Sequence, residues 1–136
     1  MAETLRLEIV TPDAVAFSGD VEMVTLPGIE GEMGVYPQHE HLITQLVPGE
    51  IIVIDQGQPT SLAVGDGLVE ITATRVEIVT NMAIAVENID EAKVEEARAR
   101  AAARLREKLS DEEIASTNAS LARSLAQLHV KRRRRR

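Results

Sequence analysis

Glycine and proline occur only in the first part of this chain, and this asymmetry constrains the fold more than any other feature. All eight glycines and all five prolines precede Asn88, and neither residue type occurs from Ile89 to Val130. Glycine and proline mark turns between short strands, whereas a long segment without them can continue as a helix. The sequence therefore predicts an α+β protein in which the strands come first and the helices last.

Residues 1–87 have the pattern of short strands. Apolar residues alternate with polar ones in two runs, which contain Leu5, Leu7 and Ile9, and Val69 and Ile71. Ile51 to Ile54 form a continuous apolar run, which is typical of a strand covered on both faces. Turn signals such as Thr11-Pro12-Asp13 and Gly65-Asp66-Gly67 lie between these runs. Together they predict an antiparallel β-sandwich or barrel.

Residues 88–130 have the composition of two helices joined as an αα-hairpin. Capping boxes are predicted at the two helix starts, Asn88 with Glu91 and Ser110 with Glu113. The expected seam consists of Ile114, Leu121, Ala122, Leu125 and Leu128 against Ala92, Ala99, Ala103 and Leu109. Because an alanine-rich seam buries little apolar surface, we expect the hairpin to be marginally stable alone and able to move.

Charge is distributed unevenly along the chain. Residues 1–88 hold fourteen acidic side chains against two strong bases, whereas residues 131–136 are six consecutive cations. An acidic body does not bind nucleic acid by neutralising phosphates, so no nucleic-acid partner is expected for it. The basic end could bind an acidic protein surface, anionic lipid or nucleic acid by charge alone.

Several absences narrow the class of protein. The chain has no cysteine, which excludes disulfides and thiolate metal sites. Phe17 and Tyr36 are the only aromatic residues, which argues against folds that stack on bases. The first residues lack a signal pattern, and no apolar run approaches the ~20 residues of a membrane helix. We therefore expect a soluble, cytoplasmic protein.

The glycine-rich stretch from Leu26 to Ile43 is the candidate ligand loop. Gly28, Gly31 and Gly34 are spaced by three, which matches neither the dinucleotide-binding fingerprint nor the phosphate-binding P-loop. Their interpretation is structural: they supply positive φ angles or bulges where strands bend. Nothing in this spacing indicates a catalytic loop.

Two histidines follow that loop and raise the question of a metal site. His39 and His41 could lie on one face of a strand, but zinc needs three or four ligands and no third one is nearby. We therefore interpret both rings as packing or hydrogen-bonding groups and predict no metal.

The stretch "LPGIEGEMGVYPQHEHLITQLVPGEI" resembles the signature of the epsilon subunits of bacterial and chloroplast rotary ATP synthases. That family's pattern has a Leu-Pro-Gly start, Gly-x-x-Gly-Val, Pro-x-His, Leu-Ile and a Pro-Gly turn. "LRLEIVTPD" and "VGDGLVEITATRVEIVTNMA" resemble its first and closing strands, and "NIDEAKVEEARARAAARL" and "LARSLAQLHV" resemble its two helices. The resemblance covers nearly the whole chain in order.

The resemblance implies a non-catalytic rotor subunit of the proton-translocating ATP synthase. It implies a ten-stranded β-sandwich over residues 1–87, a helical hairpin over 88–130 and a basic tail over 131–136. The partners would be the gamma subunit, the c-ring and the alpha and beta subunits. The chain would lie at the cytoplasmic face of the cell membrane, peripherally and only through the complex. The hairpin would fold down on the sandwich or extend into the catalytic head, where it restrains ATP hydrolysis.

The resemblance also assigns residues. The residues that would shape the turns of the sandwich or contact other subunits are Pro27, Gly28, Gly31, Gly34, Pro37 and His39. Some members bind ATP through Ile/Leu-Asp-x-x-Arg-Ala, and the matching candidates are Ile89, Asp90 and Lys93, with Arg100 and Arg123 as helpers. Lysine in place of arginine loses the bidentate guanidinium fork, and Gln127 replaces a further arginine, so we expect no tight ATP binding and no other cofactor.

Inhibition is expected to depend on charge. In the family the extended helices face an acidic loop of the beta subunits, and the matching cations are Arg123, Lys131, Arg132, Arg133, Arg134, Arg135 and Arg136. Screening of such a contact predicts stronger inhibition at low salt. Two other functions stay open on the residues alone: a free-standing ATP-sensing hairpin, and an acidic sandwich with a nucleic-acid-binding tail.

Overall fold

The structure, a computed structural model, describes residues 3–134. The ten strands are β1 (Leu5–Val10), β2 (Val15–Val21), β3 (Met23–Gly28), β4 (Gly31–Val35), β5 (Leu42–Leu46), β6 (Gly49–Asp55), β7 (Gln58–Val64), β8 (Gly67–Ile71), β9 (Arg75–Thr80) and β10 (Ala83–Ala85). A 3-10 turn, Val86–Asn88, leads into α1 (Glu91–Arg104) and α2 (Asp111–Arg134). The predicted class, an antiparallel sandwich of about ten strands before a helical hairpin, is confirmed.

One continuous ladder of strands forms the sandwich. The order is β10-β7-β6-β3-β5-β8-β9-β1-β2, and β4 forms a hairpin with β3 off this path. All pairings are antiparallel except that of β1 with β9, where Leu7 lies beside Val76 and Ile9 beside Ile78. The parallel pair places the first strand of the chain beside the ninth.

An aliphatic core lies between the layers of the sandwich. The predicted alternation is confirmed in β1, where Leu5, Leu7 and Ile9 are buried, and in β8, where Val69 and Ile71 are buried. The other core residues come from most strands: Val21, Val24, Leu26, Val35, Leu46, Ile51, Val53, Leu62, Val64, Val76 and Ile78. Sequence alternation therefore identified the inward face of each of these two strands.

The helical hairpin covers the outer face of β6 and β7. In β7 the core takes Leu62 and Val64, while Ala63 is buried on the opposite face against Val130 of α2. The apolar run in β6 is buried at Ile51 and Val53 and half-buried at Ile52, as the contact with α2 covers this strand only in part. Among residues 3–134 no helix is long and apolar enough to cross a bilayer.

One of the two predicted capping boxes is present. At the start of α2, the Ser110 hydroxyl accepts from the Glu113 amide and the Glu113 carboxylate accepts from the Ser110 amide, both at 3.2 Å. The prediction for Asn88 was wrong, because the N-cap of α1 is Asp90, which accepts from the Lys93 amide at 3.2 Å. Ile89 is extended and buried, so the helix begins after it.

The predicted seam of the hairpin was wrong in most positions. Ile114 and Leu125 are 39% and 49% exposed, and the alanines expected from α1, Ala92, Ala99 and Ala103, face solvent. The buried residues of the helices are Ala101 in α1 and Thr117, Ser124, Ala126, Leu128 and Val130 in α2. The reason is that α2 contacts two surfaces, α1 and the sandwich, whereas the prediction assumed one.

Candidate functional site

A polar cleft of about 560 Å³ lies between the two helices. Most of its lining residues have small side chains, and three are arginines. The lining consists of Ala97, Arg100, Ala101, Arg104, Ser116, Thr117, Ser120, Arg123, Ser124 and Gln127. Residues four apart share a helix face, so Arg100 and Arg104 of α1 lie together, as do Arg123 and Gln127 of α2. The small residues of both helices leave the space that forms the cleft.

The three arginines of the cleft differ in their contacts. Arg104 forms an ion pair with Glu113 at 3.0 Å, and Arg123 donates to the Ser120 hydroxyl at 3.0 Å. Arg100 is exposed and has no ion-pair partner among the residues that the structure describes. A cleft with a free guanidinium and several hydroxyls has the chemistry to hold an anion such as a phosphate group.

The structure brings together only part of the predicted ATP site. Arg100 and Arg123, the helper arginines that the resemblance named, both line the cleft, and Gln127 lies beside them. Ile89 is instead buried between the hairpin and the sandwich, and Asp90 serves as the α1 cap. Lys93 is exposed one turn before Ala97, outside the lining of the cleft.

Helix α2 continues through the first four residues of the basic end. Lys131 Nζ donates to the Val86 carbonyl oxygen at 3.2 Å, which fixes it to the 3-10 turn. Arg132 forms ion pairs with two glutamates of α1, at 2.9 Å to Glu95 and 3.9 Å to Glu91. Cations at the carboxyl end of a helix also interact favourably with the partial negative charge of the helix dipole. Arg135 and Arg136, which belong to the same prediction, lie outside the described residues.

The next two arginines of the basic end form ion pairs with one carboxylate of the sandwich. Glu50, on β6, forms ion pairs with Arg133 through Oε1 and with Arg134 through Oε2, the latter at 3.0 Å. Its side chain is only 9% exposed, the least of any acidic side chain in the ion pairs of residues 3–134. The basic end therefore contacts the 3-10 turn, α1 and the sandwich at once.

Hydrogen bonding shifts the acidity of one carboxylate in this region. The hydrogen bond from Arg98, reinforced by the one from Arg132, holds the pKa of Glu95 below its ordinary value. Arg98 belongs to the same helix as Glu95, whereas Arg132 belongs to α2. The ionised form of Glu95 thus links the two helices.

The loop from Leu26 to Ile43 is a pair of turns in the sheet. Of its glycines only Gly31 has a positive φ, 123°, in the turn between β3 and β4. Pro27 lies within β3, and a side chain at Gly28 would crowd Met33 at 3.2 Å. Gly34 lies in β4 against the methyl group of Met23, and Pro37 follows that strand in the next turn. These residues shape the backbone, whereas a role in subunit contact stays a prediction.

The two histidines lie in the loop before β5 and not on a strand, so the possible arrangement on one strand face is absent. His39 Nδ1 is 2.7 Å from the Glu40 carbonyl oxygen, and His41 Nε2 is 3.2 Å from Glu70 Oε2. His41 is exposed, which makes it a surface residue. In the described part of the chain, no three potential ligands converge on one point.

Exposed apolar side chains of the sandwich line two depressions. One shallow depression of about 420 Å³ includes Pro12, Leu68 and Val79, and the second, of about 310 Å³, includes Ile29, Leu42 and Ile43. Apolar surface of this kind, when it is clustered, marks sites where other proteins bind. The lining of the first depression includes the carboxylate of Asp66, and that of the second includes Glu30 and Glu32.

Sequence reasoning missed Glu50 and most of the cleft. Arg104, Thr117 and Ser124 did not belong to any predicted site, although Thr117 and Ser124 are seven residues apart and mark a polar face of α2. That spacing was a usable signal, since seven residues are about two helical turns. Glu50 had no comparable signal, because only the fold brings β6 to the end of α2.

Two family models match the chain in succession. One is described as ATP synthase, Delta/Epsilon chain, beta-sandwich domain, and matches residues 4–86. The other is described as ATP synthase, Delta/Epsilon chain, long alpha-helix domain, and matches residues 87–132. Their junction falls within the 3-10 turn that joins the sandwich to the hairpin.

Several curated relatives resemble the chain over nearly its full length. An ATP synthase epsilon chain of Herpetosiphon aurantiacus is 37% identical over 131 residues, which are 96% of both chains. One of Chloroflexus aggregans is 40% identical over 126 residues, which cover 93% of this chain and 91% of the relative. One of Hydrogenovibrio crunogenus is 34% identical, over 96% of this chain and 90% of the relative.

Solved structures show the same fold. A chain in the Euglena gracilis mitochondrial ATP synthase, described as OSCP/F1/c-ring in rotational state 1, superposes with a TM-score of 0.76 at 25% identity. The match covers 93% of this chain and 80% of that one. A chain of the Tetrahymena thermophila mitochondrial ATP synthase central stalk and c-ring superposes at 0.59 with 13% identity, over 93% and 96% of the chains. The resemblance read from the sequence is thus confirmed, and the chain belongs to the ATP synthase delta/epsilon family as an accessory, non-catalytic subunit of the epsilon type.

Proposed function

We propose that this chain is the rotor subunit whose sandwich joins the gamma subunit to the c-ring and whose hairpin restrains ATP hydrolysis. The observation that carries the proposal is the way in which the hairpin is attached. Its apolar contact with the sandwich centres on Ala63, Ile89 and Val130, whereas the sandwich has an extensive core of its own. An element held by a small apolar contact and by ion pairs can leave without unfolding its support.

The two apolar depressions of the sandwich suit the two stalk partners. Leu68 and Val79 lie beside the Gly65–Gly67 turn, and Gly65 approaches the Arg123 side chain of α2. A partner there would adjoin the hairpin, which fits gamma, because the extended hairpin would run along that subunit. The depression with Ile29 and Ile43 borders β4 and β5, away from the strands that α2 covers, and we assign it to the c-ring.

Charge substitutions would test both assignments in the assembled complex. Leu68→Asp should reduce co-purification of gamma with the tagged chain, and Ile43→Asp should reduce recovery of the c-ring while gamma is kept. Both side chains are about 60% exposed in the free chain, so each substitution leaves the core intact. Normal recovery of both partners with each variant would contradict the assignments.

The inhibitory contact would use the basic end of α2 and Arg123. Individual exposed ion pairs contribute only about 0.2–1 kcal/mol, but several cations on one helix end act together. Deletion of residues 131–136 should therefore relieve the restraint of ATP hydrolysis, and the relief should be largest at low salt. Unchanged ATPase rates after this deletion, with the chain still present in the complex, would refute an inhibitory role for these residues.

The cleft between the helices favours a second candidate function, the sensing of ATP by the hairpin. Its support is the free guanidinium of Arg100 beside Arg123 and the hydroxyls of α2. Because Lys93 lacks the fork of an arginine and lies outside the lining, we expect weak binding. Titration with ATP, followed through the thermal unfolding of the helices, should show stabilisation only at millimolar concentrations. A micromolar dissociation constant would favour the sensing function.

The proposed location of the chain at the membrane follows from its proposed partners. With gamma and the c-ring bound, the chain would lie at the cytoplasmic face of the cell membrane and would be peripheral. Membrane fractionation gives the check: the chain should stay with the membranes when the complex is intact and should be released when the catalytic part is stripped off.

A further inference from the structure

The four described residues of the basic end divide their contacts among three parts of the molecule. Lys131 contacts the 3-10 turn, Arg132 contacts α1, and Arg133 and Arg134 contact Glu50 on β6. Only the last contact joins the end of α2 directly to a strand of the sandwich by ion pairs.

Glu50 is enclosed by these partners when the hairpin is docked. Each carboxylate oxygen has its own arginine, and the side chain is 9% exposed. A carboxylate withdrawn this far from water loses hydration, and the two guanidinium groups replace it with charge-assisted contacts. Arg6 and Arg75, the strong bases of residues 1–88, contact Glu8 instead, so the cations for Glu50 come from α2.

We propose that Glu50 and the arginines at 133 and 134 form an electrostatic latch that keeps the hairpin folded on the sandwich. The latch determines how often the hairpin is released, because the apolar contact beneath it is small. An acidic surface elsewhere in the complex competes with Glu50 for the same guanidinium groups. The latch and the inhibitory contact are therefore alternatives for one set of cations, and this last consequence rests on the proposed function.

Salt distinguishes the latch from the apolar contact. The arginine side chains are about a third to a half exposed, so dissolved ions screen them. Screening weakens the ion pairs but leaves the packing of Val130 against Ala63 unchanged. The released fraction of the hairpin should therefore rise with sodium chloride.

A single thiol can report release in the intact chain. The chain has no cysteine, and Ala63 is fully buried under the hairpin. In an Ala63→Cys variant, a water-soluble thiol reagent reaches the sulfur only when the hairpin has left. When opening and closing are fast compared with labelling, the labelling rate is proportional to the released fraction.

Glu50→Gln in this background keeps the shape and removes the charge. We expect labelling at low salt to become about tenfold faster, which corresponds to about 1.4 kcal/mol. Asp55→Asn is the matched control, because Asp55 is an exposed carboxylate on the same strand without an ion pair among residues 3–134. Added salt should accelerate labelling of the parent and change the Glu50→Gln variant less.

A second thiol separates release from unfolding of the sandwich. Val76 is buried in the sandwich core, so labelling in a Val76→Cys variant requires the sandwich itself to open. Glu50→Gln should leave that rate unchanged. Equal labelling of the Ala63→Cys thiol with and without Glu50→Gln, or parallel acceleration of the Val76→Cys thiol, would overturn the latch.

An ATPase assay of the reconstituted complex tests the functional consequence separately. Glu50→Gln leaves all arginines in place and frees them, so it should strengthen inhibition, whereas deletion of residues 131–136 should weaken it. Faster labelling without a change in ATPase inhibition would keep the latch and would refute the restraining role of the hairpin. Unchanged labelling would refute the latch alone.

Discussion

At the scale of single residues, the close approach of two backbone segments explains why residue 67 is a glycine. Chain flexibility is not the reason. A Cβ at this position would overlap the Val79 carbonyl oxygen on the neighbouring strand. Rigid backbone cannot yield as a long side chain can, so Gly67→Ala should lower the free energy of unfolding of the sandwich by about 2–4 kcal/mol. Urea unfolding followed by circular dichroism would measure the loss.

Gly19→Ala is the control for that substitution. A Cβ at Gly19 would meet only the Phe17 ring, at an ordinary contact distance of 3.6 Å. Its effect on the free energy of unfolding should stay within about 1 kcal/mol. Equal losses for the two variants would show that the approach of β8 to β9 does not explain the need for glycine.

Another residue-scale prediction concerns acid. The pKa of Glu95 is held below its ordinary value first by Arg98 and then by Arg132. A carboxyl group whose pKa is lower in the folded state stabilises that state above its unfolded pKa. This contribution disappears as the pH falls through the folded pKa, that is, below the ordinary value of 4.5.

The Glu95→Gln variant isolates this effect. In that variant, helical signal should depend less on pH below 4.5 than in the parent, since one of the carboxylates that link α1 to α2 is gone. Glu96→Gln is a suitable comparison, because Glu96 is exposed on the same helix. An unaltered acid profile after Glu95→Gln would assign the loss of helix to other carboxylates.

At the scale of elements, sequence reasoning located the helices but did not orient α2. The Ser110 cap and the absence of glycine and proline were sufficient to place the second helix. Its buried face depends on β6 and β7, which are distant in sequence, so Leu125 is exposed although it is large and apolar. A period of seven describes a helix that meets one neighbour, and α2 meets two.

Two substitutions in α2 test that orientation. Val130→Ala should destabilise the docked hairpin by about 1–2 kcal/mol, because Val130 is fully buried against Ala63 and Ile89. Leu125→Ala removes more apolar volume but from a half-exposed position, and should cost less than about 0.5 kcal/mol. Thermal unfolding of the helical signal, compared between the two, gives the measurement. The reverse order would restore the seam predicted from the sequence.

At the scale of the whole molecule, local rules predicted the class of the sandwich and the strands β1, β6 and β8, whereas the number of ten strands came from the resemblance. Alternation, turn residues and spacing are each visible within a few residues, as in Leu5, Leu7 and Ile9. The contacts between sandwich and hairpin were not visible, because they join residues far apart in sequence, Glu50 to Arg134 and Ala63 to Val130. The functional proposals depend on these long-range contacts.

The sandwich has a core separate from its contact with the hairpin, and we therefore predict that it is stable without the helices. Its core is closed by strands of residues 5–85, and removal of residues 88–136 would uncover mainly Ala63 and its half-buried neighbours Met82, Ile84 and Val86. A loss of about 1 kcal/mol shifts the melting temperature of a domain this size by roughly 4–8 °C. The truncated chain should therefore unfold cooperatively, within about 10 °C of the sandwich transition in the full chain.

Calorimetry of both chains would measure this, with Leu7→Ala in the full chain as a reference for damage to the core itself. A truncated chain without a cooperative transition would mean that the hairpin is part of one folding unit with the sandwich, and a latch could not then release it alone.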